Sequence, residues 1–206
     1  MIGVFMKEYY EKTKGRSTRP LLMEFLKYIP SDVSNHTAYD LGCGVGNDTN
    51  FMSENGYRVK AVDISADAFV YMNKKFGKLE HVEQIVSSLE DLTLEPCNLV
   101  NASLVLPFVK SSDFDVVLER IAVAIKSKGF FVGNFFGPKD DWKNKFVVKS
   151  VDEVKSYVKS FDILYIKETE VDAPSAGGPV KHWHIIDIIC QKNYPGLIFS
   201  YQLNLI

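Results

Sequence analysis

The chain has 206 residues, of which 46% are apolar and 24% charged, with a formal net charge of -2. That is enough for one sizeable core, below the size at which cores divide, and far from the composition of a disordered chain. Acids and bases are interleaved along it, which excludes a basic face built for a nucleic-acid backbone. Cys43, Cys97 and Cys190 are odd in number, widely spaced and without a CxxC pair, so neither a disulfide framework nor a structural zinc site is expected. The opening MIGVFMKEYYEKTKGR carries its charges after a short apolar start, unlike a secretory signal, and no apolar run reaches the ~18 residues of a membrane helix. The expectation is a soluble, cytoplasmic protein of one domain over 1–206.

Residues 1–36 read as an N-terminal helical lid segment whose one predicted helix is PLLMEFLKYI, with Pro20 suited to the first turn. From Thr37 the core, 37–192, alternates short apolar runs with segments of helical period, the pattern of a parallel sheet covered by helices. The predicted strands are Thr37 to Asp40, Arg58 to Asp63, Val82 to Ser87, Cys97 to Ser103 and Gly129 to Phe136. Between them, Gly56 ends a helix that begins after Gly46, and Ser65 caps one running to Gly77. Phe114, Val117, Leu118, Ile121, Ala122 and Ile125 form an amphipathic stripe. Ser150 and Glu153 have the spacing of a capping box. Two strand-like runs, FDILYIKETEV and KHWHIIDIICQK, follow as an antiparallel pair at one edge, joined by DAPSAGGPVK, which is long for a hairpin. The last segment, 193–206, is an apolar tail.

The stretch with most chemical content is DLGCGVGN, Asp40 to Asn47. A tight strand-to-helix turn needs glycine for positive φ, but one turn does not need three. Glycines at alternate positions suit close approach of a ligand to backbone N–H groups and a helix N-terminus. A dinucleotide fingerprint is GxGxxG, whereas here the third glycine comes one residue early. Asp63, ending the second strand, suits the vicinal hydroxyls of a ribose in either cofactor class. Asp40 discriminates, because a carboxylate there suits a ligand with ammonium and sulfonium groups better than a pyrophosphate.

On these residues the chain resembles the class I S-adenosylmethionine-dependent methyltransferases. SSLEDL, NLVNASLVLPF, KSKGFFVGNFFGPKD and KHWH, in that order, make it most similar to their small tellurite-resistance-type branch. The resemblance implies a three-layer α/β Rossmann-like fold with a mostly parallel seven-stranded sheet, order 3-2-1-4-5-7-6, and an antiparallel last strand. It also implies methyl transfer from S-adenosyl-L-methionine to a small-molecule acceptor, such as a tellurite- or selenite-like oxyanion, a thiol or a hydroxyl compound. In that pattern Asp40 orients the methionine amino group, directly or through water, and Gly42, Cys43, Gly44 and Gly46 form the loop beneath the ribose and methionine. Asp63 takes the ribose hydroxyls, Ile64 lies on the adenine, Leu89 serves the ring through its N–H, and Ala102 and Ser103 flank the methyl. Ser88 stands where many relatives have an adenine-binding aspartate, and Asn98 replaces an acid at the start of the fourth strand.

The acceptor side belongs at the carboxyl ends of the strands. Candidates there are Tyr9, Tyr10, Arg16, Arg19, Asn134, Trp142, Lys181, His182 and His184. His182, His184 and Tyr10 are the expected catalytic group, the histidines by acting on the acceptor and Tyr10 by a cation–π contact with the sulfonium. Half-buried strand histidines with no chemical part would look the same in sequence. No Asp, Glu or Cys stands at metal-ligand spacing from KHWH, so no metal is expected. The expected partners are a small acceptor and at most a second copy of the chain, with neither nucleic acid nor membrane. Two other readings stay open, an NAD(P)-dependent reductase and a non-catalytic S-adenosylmethionine-binding protein.

Overall fold

The structure, a computed structural model, describes residues 2–176 and 178–193. Its chain order is α1 (Ile2–Thr13), α2 (Pro20–Phe25), β1 (Thr37–Leu41), α3 (Asn47–Glu54), β2 (Arg58–Asp63), α4 (Ala66–Phe76), β3 (Val82–Val86), β4 (Cys97–Ala102), α5 (Phe114–Ala124), β5 (Ile125–Phe136), α6 (Val151–Tyr157), β6 (Phe161–Pro174) and β7 (Val180–Lys192). The strands form one seven-stranded sheet in the order β3-β2-β1-β4-β5-β7-β6. Pairing is parallel from β3 to β5, and β7 runs antiparallel to both β5 and β6. This is the expected Rossmann-like architecture, with the last strand inserted between its two neighbours.

Strand alternation divides the core into two layers. Ala38, Val59, Leu99, Val132 and Ile189 face Leu21, Leu22 and Phe25 of α2 and Met52 of α3. Tyr39, Leu41, Val62, Val100, Phe131, Ile186 and Ile188 face the other way, onto Phe114, Val117, Leu118 and Ile121 of α5 and Val154 of α6. Each such aliphatic side chain contributes about 1.5 to 3 kcal/mol on burial, so the central strands, apolar on both faces, anchor the sheet.

Four expectations shift. The N-terminal segment holds two helices, since α1 precedes the expected one, and α2 tightens into a 3₁₀ turn at Leu26–Tyr28. Ile125, placed by its spacing on the α5 stripe, has ψ 123 and opens β5 instead. Lys192 explains the stop, because its ammonium donates to the carbonyls of Ala122 (2.6 Å) and Ile125 (2.7 Å), groups left without helical partners. Between Ile125 and Gly129 the chain bulges, with Lys128 at φ 62, before Phe130 resumes register beside Leu99. The β6–β7 hairpin is tighter than its connecting sequence suggests, since pairing continues to Pro174 and Val180. The apolar tail from residue 194 lies outside the described residues. No helix among the described residues is long and apolar enough to cross a membrane.

The Ser150–Glu153 capping box is present, with the Ser150 N–H donating to Glu153 at 2.8 Å and the Glu153 N–H donating to Ser150 Oγ at 3.3 Å. Ser150→Ala is expected to lower stability by about 1 kcal/mol, read as a melting temperature about 2–4 °C lower by calorimetry. An unchanged melting temperature contradicts a stabilising cap.

Candidate functional site

The carboxyl ends of β1, β2 and β4 meet around the glycine loop. Asp40 is the last but one residue of β1 and stands in register with Asn101 of β4. It is 2% exposed. One of its oxygens accepts the Asn101 amide at 2.8 Å and the other the Thr49 hydroxyl, from the first turn of α3, at 2.5 Å. Asn101 Nδ2 also lies 3.4 Å from Asp48 Oδ2, and its Oδ1 accepts the Ser103 hydroxyl at 2.9 Å. Asp48 in turn accepts the Arg19 backbone N–H at 2.9 Å, fixing the lead-in to α2. A buried polar network thus joins β1, β4, α3 and α2 beneath the loop.

The loop above it is held by backbone. The Cys43 N–H donates to the Val62 carbonyl at 2.9 Å, and the Gly44 N–H donates to Asp63 Oδ2 at 2.9 Å. The three glycines do different work. A Cβ at Gly42 would lie 2.5 Å from Val105, and one at Gly46 2.5 Å from Met72, so these two are required by packing within the protein. Gly44 has φ 53 and nothing within 4 Å of a Cβ position. Space is therefore open in the direction its absent side chain would take. Internal packing thus gives Gly42 and Gly46 a structural reason of their own, which the expectation of a ligand loop did not include.

Asp63 ends β2 beside this opening and is 5% exposed. Its Oδ1 accepts the Ser65 N–H at 3.0 Å and the Tyr10 hydroxyl at 2.9 Å. Burial, then the charge of Asp63, pushes the Tyr10 hydroxyl well above the ordinary phenol range, so it serves as the donor. Ile64 follows, 61% exposed, with Val86 at the end of β3 also exposed. Ser88 and Asp91 bond each other through Ser88 Oγ (2.7 Å to Oδ2), while the Leu89 carbonyl accepts from Arg120 at 3.1 Å. Ala102 is buried in the sheet opposite Gly133. Asn98, at the start of β4, accepts the Thr37 N–H at 3.2 Å and ties two strands together. Cys43 is buried, and burial raises its thiol well above the usual value, leaving it inert.

The expected cofactor residues are therefore brought together at the ends of β1, β2, β3 and β4, but the expected catalytic histidines are not. Both stand on β7, two strands beyond β4. His184 is 2% exposed, with Nδ1 accepting the Lys139 N–H at 3.1 Å and Nε2 bonded to Glu168 at 2.6 Å, so both ring nitrogens are engaged within the protein. His182 lies between Asp172 (2.8 Å) and Glu170 (3.4 Å), and its hydrogen bond to Asp172 leads the effects that raise its pKa. The pair forms a cross-strand ladder with the acids of β6, which the sequence could not show because those acids are ten or more residues away. Tyr10 bonds the β2 carboxylate in place of the expected cation–π position. Among the described residues no group of three His, Cys, Asp or Glu side chains is placed to hold a metal.

Farther along the carboxyl edge, Lys181 is buried against Asp140 and ringed by Trp183 (4.0 Å to the ring centre), Trp142 (4.4 Å) and Phe136 (5.2 Å). Trp142 continues the cluster to Phe108 and Phe146, both with some exposure. Asn134 accepts the Leu104 N–H at 3.2 Å and donates to Asp187, whose carboxyl burial raises. The sequence reading missed Asp48, Thr49 and Asn101. Their signal is that Asp48 and Thr49 occupy the inward stripe of α3 with Met52, where apolar residues are usual.

Burial, followed by the charge of Asp48, pushes Asp40 up to about 7, while the bonds from Thr49 and Asn101 pull the other way. A carboxyl raised on folding binds its proton more tightly in the native state, so its contribution is intact below the unfolded value near 3.8 and is lost as pH rises through about 7. Urea unfolding of the wild type should show stability falling between about pH 4 and 7 through this group, and Asp40→Asn should flatten that slope. An identical slope in the variant contradicts the assignment.

Residues 39–133 match the family model described as a methyltransferase domain. A carboxy-S-adenosyl-L-methionine synthase of Psychrobacter arcticus is 31% identical over 103 residues, covering 46% of this chain and 38% of that protein, so the match spans well under half of the relative's length. In fold, the chain is similar to TehB from Haemophilus influenzae, with a TM-score of 0.76 and 16% identity over 90% of this chain and 66% of that one. It is similar also to 1,6-didemethyltoxoflavin-N1-methyltransferase from Burkholderia thailandensis, solved with bound 1,6-didemethyltoxoflavin and S-adenosylhomocysteine, with a TM-score of 0.64 and 19% identity over 85% and 78% of the two chains.

Proposed function

We propose that the protein transfers a methyl group from S-adenosyl-L-methionine to a small-molecule acceptor, a reading supported by the match of residues 39–133 to the family model described as a methyltransferase domain. The observation that carries this is the conjunction of an open Gly44 backbone with the Asp63 carboxylate that its own N–H holds at 2.9 Å. A ribose needs a carboxylate beside a backbone with no side chain, and both stand at one loop. Two of the compared proteins support the cofactor class, one by its name and one by the S-adenosylhomocysteine bound to it.

In this reading the residues of the loop, Gly42 to Gly46, and Asp63 hold the ribose and methionine portion. Ile64, Ser88 and Leu89 make the adenine wall, Ile64 with its exposed face. Asp40 and Asp48 hold the negative end of the site from beneath, through Asn101 and Thr49, rather than by direct contact, since Asp40 is buried under the loop. Bound there, the cofactor supplies an electrophilic methyl on a sulfonium, and the protein's work is to orient the acceptor in line and exclude water. Ser103, joined to Asn101, stands at the acceptor side of β4.

The aromatic wall of Phe108, Trp142 and Phe146 favours an acceptor with an apolar body, a thiol or a hydroxyl compound, over a bare oxyanion. Lys181 is neutralised by Asp140 and gives an oxyanion nothing to bind. With His184 committed to Lys139 and Glu168, its part is to brace the β6–β7 hairpin. The protein works in the cytoplasm as a monomer or homodimer, without a nucleic-acid or membrane partner.

Titration calorimetry with S-adenosylhomocysteine tests the site. Hydrogen bonds to a charged group contribute on the order of 1.5 to 3 kcal/mol, so Asp63→Ala should weaken binding at least tenfold. An affinity equal to wild type would remove Asp63 from the site.

A further inference from the structure

Asp63 is already busy. Its Oδ1 accepts two donors, the Ser65 N–H at 3.0 Å and the Tyr10 hydroxyl at 2.9 Å, while its Oδ2 accepts the Gly44 N–H at 2.9 Å. A carboxylate offers about four acceptor directions, so three of them are taken. A vicinal diol needs two. The Gly44 and Ser65 donors are backbone groups of the loop and of the turn into α4, and they shape the site itself. Tyr10 is the one donor that comes from a remote segment, 53 residues away in the chain.

Tyr10 also blocks the approach. It is fully buried and packs with Val45 of the glycine loop and Ala68 of α4. Met6, Tyr9 and Tyr71 close around it, with the Tyr10 ring 5.6 Å from that of Tyr71 and 5.8 Å from that of Tyr9. This cluster is separate from the two layers that hold the sheet together. Apart from it, α1 is tied to α4 by surface contacts, the Lys7–Asp67 pair at 3.9 Å and a hydrogen bond between Glu11 and Tyr71, and exposed contacts contribute little. Helix α1 can therefore leave at the cost of this small cluster, without opening either layer on the sheet.

Resting on the proposed function, we infer that α1 is a displaceable plug: the Tyr10 hydroxyl occupies the ribose position on Asp63, and the cofactor nucleoside binds by displacing it. Affinity is then set by a competition between two occupants of one carboxylate, and α1 couples the state of the site to the N-terminal face of the protein. Displacement leaves Tyr9, Tyr10 and Tyr71 exposed beside the occupied loop.

The experiment uses the full chain with S-adenosylhomocysteine as probe, by calorimetry and by hydrogen exchange read by mass spectrometry. Removing the hydrogen bond that the competing Tyr10 hydroxyl makes to the charged Asp63 should make Tyr10→Phe bind about tenfold more tightly than wild type. In the wild type, α1 amides should exchange faster when the probe is added while those of α4 and the loop slow. Unchanged or weaker binding by Tyr10→Phe, or slower exchange in α1 on adding the probe, overturns the plug while leaving the cofactor assignment in place. Absence of binding to wild type and variant alike removes the cofactor assignment, and the plug with it.

Discussion

A carboxylate sealed under the first strand governs the site. Asp40 lies almost out of contact with water, and an ionised group in that position is costly unless neighbours bond it. Its two oxygens are satisfied by Asn101 from β4 and Thr49 from α3, so the strand end, the neighbouring strand and the helix after the loop are fixed to one another. Everything above inherits that geometry. The Gly42–Gly46 turn can be close-packed on Val105 and Met72, leaving Gly44 bare, because the residues on either side of it cannot drift. The Gly44 N–H then meets Asp63 at the end of the next strand.

The carboxyl edge of the sheet is divided by chemistry as well as by topology. Over β1, β2 and β4 it is acidic and backbone-rich, suited to a ligand carrying positive charge and hydroxyls. Over β5 and β7 it turns aromatic, with a neutralised lysine at its centre and a ladder of histidines and acids bracing the hairpin behind it. Asn134 sits at the junction, holding the Leu104 backbone where the chain leaves β4 at φ 52. In the proposed function these two regions are the cofactor half and the acceptor half of one site.

What the sequence revealed follows from how local each signal was. The sheet was legible because hydrophobic runs and punctuation by Gly56, Ser65, Gly77 and Ser150 are properties of neighbouring residues. Ile125 misled because spacing by three and four cannot register that a distant Lys192 caps the helix a residue earlier. Helix α1 was missed for a similar reason. Its opening lacks an acidic first turn, and its inward face is defined by docking on α4 and the loop. The glycines were legible as a ligand loop, but their separate duties depend on Val105 and Met72, whose positions only tertiary structure supplies. His182 and His184 share a face, as alternation requires, yet their partners Glu168, Glu170 and Asp172 reach them through hairpin register. Asp48, Thr49 and Asn101 escaped notice because polar residues on inward faces become meaningful only once their partners are known.

The central claim is that this loop and carboxylate accept S-adenosylmethionine rather than a dinucleotide. Thermal unfolding of the full chain with S-adenosylhomocysteine and, separately, with NAD measures it most directly, since a ligand that binds the native state raises its melting temperature by mass action. The account predicts a concentration-dependent rise with S-adenosylhomocysteine and none with NAD. A rise with NAD and none with S-adenosylhomocysteine would contradict it.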